Sequence, residues 1–466
     1  MPKILNRRAF VQAGLRQYFS LYVRRCFMAL HPDAQFIENW HIDAILYQLE
    51  RVRRGEINRL IINLPPRYLK SLIASIAFPA FLLGHDPGLK IFGISYADPL
   101  TRDISIKFRS IIESDWHSEL FPLLQFLRIL DNEVLTTQHG YRKATTVFGS
   151  ITGMGGDYFI IDDPMKPTDA YSEIKREACN AWYRNVLFSR LDDKASGAII
   201  IIMQRLHLDD LCGFLTGHFD NFEVLNLAAI AEADERIAIG DGKFHLRKAG
   251  EALNPRMEPL ETLAEIRASM GSTDFQAQYQ QQPVPPGGAM IKREWIQTYK
   301  VLPPRTYQTR IVQSWDCASK EGGQNDWSVC TTWQFEPGKY FLIDVFRKRM
   351  NYPTLKAEAL RLIDKYRPTE IVIEDAGVGT ALAQELHGFG RTVILEKPSS
   401  DKESRMAVHS AKFEAKQVFF PESAAWLNDL LPELHSFPNG RHDDQVDSIS
   451  QALSREKEGY TLRYIR

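Results

Sequence analysis

The 466-residue sequence predicts a two-part α/β chain. Its first half reads as a doubly wound parallel sheet and its second half as a mixed sheet. Three observations predict this. Apolar runs at 60–62, 89–96, 158–161 and 198–203 lack the alternation of half-exposed strands and alternate with helix-period segments, the pattern of buried parallel strands. After residue 305 the pattern restarts with three strands in quick succession, too closely spaced for helical crossovers and therefore antiparallel. Between them, 227–305 is charged and irregular and ends in Pro283, Pro285, Pro286, Gly287 and Gly288, a boundary composition. The expected division is 1–226, a connector at 227–305, and 306–466.

Composition narrows the class. Charged residues at 25% and hydrophobic ones at 44% are ordinary for a globular protein. A net charge of −1 excludes a wholly basic nucleic-acid coat protein but not a local basic face. The five cysteines (26, 179, 212, 317, 330) show no CxxC or Cys/His spacing, so they read as thiols of a reducing compartment, not a disulfide frame or zinc site. The basic start (Lys3, Arg7, Arg8) has no signal-peptide core, and the most apolar stretch, 72–83, is too short to span a bilayer. A soluble, cytoplasmic chain is expected.

In chain order, 5–30 has helical spacing with Arg7, Arg8, Arg16, Arg24 and Arg25 between apolar positions; a solvated face is the plain reading and a DNA-facing one the alternative. Trp40-His41 open a helix to residue 52, and Trp40 is a candidate either for stacking on a nucleotide base or for the core. The segment RLIINLPPRYLKS follows, ending at Ser71. Strand, turn, Lys-Ser and apolar helix is the plan of a phosphate-binding loop, with Lys70 for the phosphates and Ser71 for Mg²⁺. Leu64 and Leu69 stand where the usual pattern has Gly, so an ordinary strand–turn–helix with a surface lysine is the alternative.

A polar helix is expected at 99–114 and a strand at 145–151, followed by a turn at Gly153, Gly155 and Gly156. Tyr158-Phe159-Ile160-Ile161-Asp162-Asp163-Pro164 then matches a strand that ends in a metal-orienting acid. Asp162 would act through the metal's water shell, and Asp163 sits where a base positions the attacking water. A helix at 172–189 leads to the 198–203 strand. It ends in Gln204-Arg205-Leu206-His207, polar groups at the carboxyl edge of a parallel sheet, where ligands of open α/β folds bind. A Gln-rich helix is expected at 274–282.

The second half reads as strands at 309–315, 326–329 and 340–345, a helix at 352–366, a strand at 371–373, a helix at 380–387, a strand at 393–395 and a helix near 402–416. A short strand at 418–420, a helix near 423–431 and a last helix to about 454 complete it. Acids mark three element ends: Asp316, Glu374 (or Asp375), and Asp443, Asp444 and Asp447. In the last group, residues three and four apart share a helix face. Carboxylates converging in a cleft repel unless a cation sits among them, and such hard oxygen ligands suit Mg²⁺ or Mn²⁺. The order β-β-β-α-β-α…α with acids at these places is that of ribonuclease H-like nucleases.

Together the halves resemble the terminase large subunit of tailed bacteriophages. The resemblance runs from about Trp40 to Ala452, over Pro65-Pro66-Arg67…Lys70-Ser71, Ile160-Ile161-Asp162-Asp163-Pro164, Arg205…His207…Asp210-Leu211, Phe275…Tyr279-Gln280-Gln281…Pro283, Asp316, Glu374-Asp375…Gly377 and His442-Asp443-Asp444…Asp447. It implies an N-terminal P-loop NTPase with a helical lead-in, and a C-terminal ribonuclease H-like nuclease. It implies ATP-driven movement of double-stranded DNA into a procapsid and cleavage of concatemeric DNA. Pro66, Arg67, Lys70, Ser71, Asp162 and Gln204 would bind ATP and Mg²⁺, with Arg67 and Asp163 in catalysis. Asp316, Glu374, Asp443, Asp444 and Asp447 would hold Mg²⁺ or Mn²⁺, with Asp316, Glu374 and Asp444 the main nuclease residues and His442 assisting. The implied partners are double-stranded DNA, a portal protein and a small terminase subunit. The implied assembly is a homo-oligomeric ring on the portal, monomeric in solution, in the host bacterial cytoplasm and absent from the mature virion.

The chain departs from the family pattern at Leu69 (usually Gly), at Asp163 (commonly Glu) and at Ser150-Ile151-Thr152-Gly153, which lacks an arginine found in many relatives. Arg142, Arg184 and Arg190 are the weak candidates for an arginine finger. Leu69 is also what favours the alternative function, a metal-dependent DNA nuclease or resolvase with a degenerate nucleotide domain. A DNA- and portal-binding scaffold without catalysis is the third possibility, and the acids at element ends argue against it.

Overall fold

The computed structural model describes residues 7–149, 151, 153–283, 290–317, 327–388, 393–397, 401–438 and 443–456. They form two compact units, one of 1–267 with 272–285 and the other of 268–271 with 286–466.

The first unit is built on an eight-stranded sheet. Its strands are β1 (Arg59–Asn63), β2 (Lys90–Ser95), β3 (Phe126–Ile129), β4 (Glu133–Thr136), β5 (Tyr141–Thr146), β6 (Tyr158–Asp162), β7 (Ala198–Met203) and β8 (Glu223–Asn226), in the order β3-β4-β5-β2-β6-β7-β1-β8. The pairs among β5, β2, β6, β7, β1 and β8 are parallel, and β3 and β4 form an antiparallel hairpin at the edge. Isoleucines alternate between the two faces: Ile160, Ile200 and Ile202 enter one buried cluster, and Ile161, Ile199 and Ile201 the other. This is the doubly wound arrangement expected from the unbroken apolar runs, since a strand covered on both faces has no polar side.

Several local expectations are corrected. The strand placed at 145–151 is β5, Tyr141–Thr146. Its polar-looking start hides Tyr141 and Arg142, both buried. The β3–β4 hairpin escaped notice because its strands have four residues each, and β3 shows no apolar alternation. The helix expected at 172–189 runs Glu173–Trp182 and then loosens into a π turn, Tyr183–Leu187, and a 3₁₀ turn, Phe188–Arg190. The stretch expected as a connector carries a hairpin, β9 (Glu235–Gly240) with β10 (Lys243–Arg247), and helices Leu260–Met270 and Ser272–Gln278. Most of it belongs to the first unit: Leu227 N–H donates to Asn63 O at the end of β1 at 2.8 Å, and within the stretch Ala229 N–H donates to Tyr279 O at 2.7 Å and Leu253 N–H to Ala229 O at 2.7 Å. The Pro-Gly run at 285–288 lies outside the described residues.

The second unit is a seven-stranded sheet of β11 (Gln297–Tyr299), β12 (Arg310–Asp316), β13 (Ser328–Glu336), β14 (Lys339–Lys348), β15 (Glu370–Glu374), β16 (Val393–Glu396) and β17 (Val418–Pro421). The order is β11-β17-β14-β13-β12-β15-β16. The antiparallel opening β12–β13–β14 and the parallel neighbour β15 are as expected. The helix expected at 423–431 is Leu427–Ser436 and continues through Pro432. The last helix, Asp444–Leu453, is seated on the sheet by polar contacts. Ser448 Oγ donates to Ser314 O at 2.8 Å and accepts from Thr331 N–H at 3.1 Å. Among the described residues no helix is long and apolar enough to cross a membrane.

Candidate functional sites

In the first unit, β7 lies between β6 and β1, so the ends of all three face one another at the carboxyl edge. The loop after β1 brings Lys70, β6 ends in Asp162 and β7 leads to Gln204. Lys70 is buried; its Nζ donates to Gln204 Oε1 and stands 3.0 Å from Asp163 Oδ1. Asp162 is buried, with Oδ2 accepting from Ser75 Oγ at 2.7 Å and Oδ1 unpartnered. Burial, then the Asp163 charge, pushes its carboxyl up to about 6 against the pull of Lys70 and the hydroxyls of Ser75 and Ser71. A buried orphan acceptor beside the Ser71 hydroxyl is what a water-coordinated Mg²⁺ would satisfy, so these residues fit the ion.

The loop is closed against backbone preference. Arg67, Leu69 and Asp163 have φ of 67°, 62° and 46°, left-handed values that cost a non-glycine residue on the order of 1–2 kcal/mol each. Leu69 therefore does what a glycine does at this position, at the expense of strain. Side-chain anchors hold the shape. Tyr68 Oη donates to Glu258 Oε2 at 2.7 Å, and its ring meets His41 edge-on at 5.3 Å. The helix begins at Lys70-Ser71, and its first turns are π-helical over Leu72–Ala77, a distortion common at functional sites. Pro66 is half-buried and Arg67 exposed at the loop's rim.

The polar run after β7 is held by Asp210, which is buried and accepts from Arg205 Nε at 3.0 Å and from Leu206 N–H, His207 N–H and Gly213 N–H. Gln281 Oε1 accepts from Arg205 N–H at 2.9 Å, and Gln280 clamps the backbone of Ile230 through its N–H and C=O at 2.9 Å each. The Arg205…Asp210 and Tyr279-Gln280-Gln281 motifs thus fix the backbone around the loop. Trp40 stacks on His245 with centroids 4.4 Å apart, which identifies its neighbour as a protein ring. Arg142 is no arginine finger: its guanidinium is buried and donates to Ser105 Oγ at 2.7 Å. Arg184 is exposed and bonded to Glu177, and Arg190 is half-exposed.

In the second unit, β12 and β15 are parallel neighbours with Trp315 paired to Ile373, so Asp316 and Glu374 leave the sheet side by side. The last helix adds Asp444 and Asp447. Burial, followed by the charges of Asp447 and Glu374, pushes the Asp316 carboxyl up to about 8; Lys402 offsets part of this and Asp444 adds to it. Asp447 is buried and held by two cations, Lys402 Nζ at 2.5 Å and Arg405 Nη2 at 2.8 Å. Asp443 also takes Lys402, at 2.7 Å. Asp444 lies 3.9 Å from Arg347, and Asp375 accepts from Thr380 Oγ1 at 2.9 Å. Among the described residues no three His, Cys, Asp or Glu side chains stand grouped as metal ligands. The acids are in electrostatic reach of one another, while Asp443 and Asp447 hold side-chain cations. All five carboxylates offer hard oxygen, and the charges of Asp447, Glu374 and Asp444, which after burial raise Asp316, are ones a divalent ion would relieve. His442 lies outside the described residues.

Sequence reading missed Ser75, Glu258, Lys402, Arg405 and Glu396. Glu396 pairs in register with Glu374, has an unpartnered buried oxygen and is raised by its own burial. A readable signal existed for Lys402 and Arg405: cations in the first turn of a helix oppose its dipole and call for a nearby acid.

Residues 313–456 match the family described as Terminase RNaseH-like domain. No protein with a curated description matches the chain. Among solved structures, the chain is similar to a large terminase from a thermophilic bacteriophage, at 12% identity and a TM-score of 0.54, over 90% of this chain and 98% of that one. The same phage's large terminase in complex with ATP-gamma-S gives 12% identity and 0.54 over 88% and 97%.

Proposed function

We propose, from the terminase RNase H-like domain in the second half and the large-terminase fold of the whole chain, that this protein is a viral DNA-packaging ATPase and nuclease. In this reading it hydrolyses ATP at the Lys70 loop to drive double-stranded DNA into a procapsid. It cleaves concatemeric DNA at the Asp316 centre with Mg²⁺ or Mn²⁺. It works as a ring on a portal protein in the host bacterial cytoplasm, is monomeric in solution, takes its sequence choice from a small terminase subunit and leaves before the virion matures. A packaging motor grips phosphates instead of reading bases, so its DNA binding should be salt-sensitive and poor in sequence preference.

The observation that carries the reading is the convergence of Lys70, Asp163 and Gln204 with the Asp162–Ser75 pair. Lys70 is held ready by Asp163. A γ-phosphate offers it a stronger anion, and Asp163, once released, can accept a hydrogen bond from the attacking water. Free N–H groups at the start of the Lys70 helix receive phosphate oxygens. Asp162 and Ser71 would hold Mg²⁺, which neutralises phosphate charge. At the second centre Asp316, Glu374 and Asp444 would hold the ion that lowers the pKa of water and shields the phosphodiester. The thermophilic phage's large terminase in complex with ATP-gamma-S supports a nucleotide at the first site. The alternative of a degenerate nucleotide domain loses its main support, because Leu69 adopts the backbone conformation in question.

The test is a paired assay on the full chain: ATP hydrolysis, and cleavage of supercoiled plasmid with Mg²⁺ or Mn²⁺. Lys70→Ala should abolish hydrolysis and spare cleavage, and Asp316→Asn or Asp444→Asn should do the reverse. Cleavage without any ATP binding would favour the degenerate-domain reading, and cleavage equal in all variants would remove the Asp316 centre from it.

A further inference from the structure

The helix Lys402–Glu414 begins with two cations on one face, three residues apart, in the turn where the helix dipole disfavours positive charge. Asp401 caps this helix, accepting from Ser404 N–H at 2.9 Å, so the helix start itself is in order. The misplaced charge is answered from another element. Lys402 Nζ reaches Asp443 Oδ1 at 2.7 Å and Asp447 Oδ2 at 2.5 Å, and Arg405 Nη2 reaches Asp447 Oδ1 at 2.8 Å. The two cations differ in freedom. The Lys402 side chain is 44% exposed and the Arg405 side chain 19%. Asp447, 5% exposed, is fixed in the buried first turn of its own helix. A lysine ammonium on a four-carbon stem can swing to solvent.

We propose that Lys402 is a resident cation of the carboxylate centre: it occupies Asp443 and Asp447 in the metal-free protein, leaves when a divalent ion enters, and so sets the metal concentration at which the centre fills. The inference rests on reading that centre as a metal-dependent nuclease site. Arg405 already takes the other Asp447 oxygen, so a divalent ion arriving at these carboxylates adds a doubly charged neighbour at close range, and the repulsion falls on the cation with room to leave, Lys402. Arg405, more buried, stays on Asp447 and keeps it aimed. Lys402 is therefore a positioning residue in the metal-free protein and a competitor of the ion.

The test is Mn²⁺ binding to the full-length protein, read from the free-ion paramagnetic resonance signal, for wild type, Lys402→Met, Lys402→Arg and Asp316→Asn. Lys402→Met should bind about tenfold more tightly. Its metal-free melting temperature should fall, and the rise on adding Mn²⁺ should exceed that of wild type. Lys402→Arg, which keeps the charge, should bind with close to wild-type affinity. Unchanged or weaker binding in Lys402→Met, with binding lost in Asp316→Asn, would overturn the competition and leave the metal centre standing. Equal tightening in Lys402→Arg would overturn it too, because charge would not be the cause. No Mn²⁺ binding in any of the four proteins would overturn the metal centre and this inference with it.

Discussion

The two acid-bearing centres solve opposite electrostatic problems. At the nucleotide loop most of the charge is answered within the site: Lys70 stands between Asp163 and Gln204, and Asp162, pushed up only to about 6, takes the Ser75 hydroxyl. At the carboxylate centre acids are in excess. Lys402 and Arg405 meet Asp443 and Asp447, yet Asp316 is still pushed up to about 8. A pre-matched site stores its readiness as backbone strain, at Arg67, Leu69 and Asp163. An acid-rich site stores it as repulsion, which an ion releases on binding. The first should work as a switchable phosphate clamp, the second as a trap for divalent metal.

The sharpest way to break this contrast is to cross the activities. Lys70→Ala should lower ATP hydrolysis by at least about 10²-fold, and Asp316→Asn should lower plasmid cleavage by a similar factor. A loss of both activities in either variant would mean that the two centres are not separable.

The cost of burying Asp316 among other acids can be weighed by stability against pH. An acid whose folded pKa is about 8, against an ordinary value of 3.8, destabilises the metal-free fold as pH rises from about 4 to about 8. Asp316→Asn should therefore stabilise the metal-free protein at pH 8 by on the order of 5 kcal/mol, with the gain vanishing near pH 4. Thermal melts with a chelator at the two pH values would show it. A gain equal at both would place the cause in packing instead.

Smaller changes probe the strained loop. Tyr68→Phe removes the bond to Glu258 and should cost about 1 kcal/mol in urea unfolding of the first unit. Leu69→Gly relieves left-handed strain but loses a half-buried side chain and adds freedom to the unfolded chain. Its net effect should lie within about 1 kcal/mol, with ATP binding retained in a filter-binding assay. Loss of ATP binding would mean that the Leu69 side chain, and not only its backbone, shapes the loop.

Much of this was legible from residue order. The runs Leu60-Ile61-Ile62 and Ile199-Ile200-Ile201-Ile202 announce strands covered on both faces. The Asp162, Asp316 and Glu374 carboxylates stand at strand ends because their strands stop at those residues. The helix Tyr352–Tyr366 was legible to the residue, with Asn351 capping it in front of Pro353. Local signals failed where burial and surface pattern part company. The short edge strands β3 and β4 and the polar start of β5 carry no apolar run, and β5 owes its place to pairing with the distant β2; the hairpin β9–β10 holds only Ile237-Ala238-Ile239 and an Asp241-Gly242 turn within a charged stretch.

By itself, then, the sequence determined the long buried strands and most helices, and where the acids and the loop lysine fall along them, because these follow from local periodicity, turn chemistry and spacing. Only the tertiary structure decided which charges meet. It put Lys402 and Arg405 on Asp443 and Asp447 across about 40 residues, Tyr68 on Glu258, Ser75 on Asp162, and buried Arg142 against Ser105. Ion pairs and hydrogen bonds are set by distances of a few ångströms between side chains remote in sequence, and those distances exist only once sheets and helices have packed.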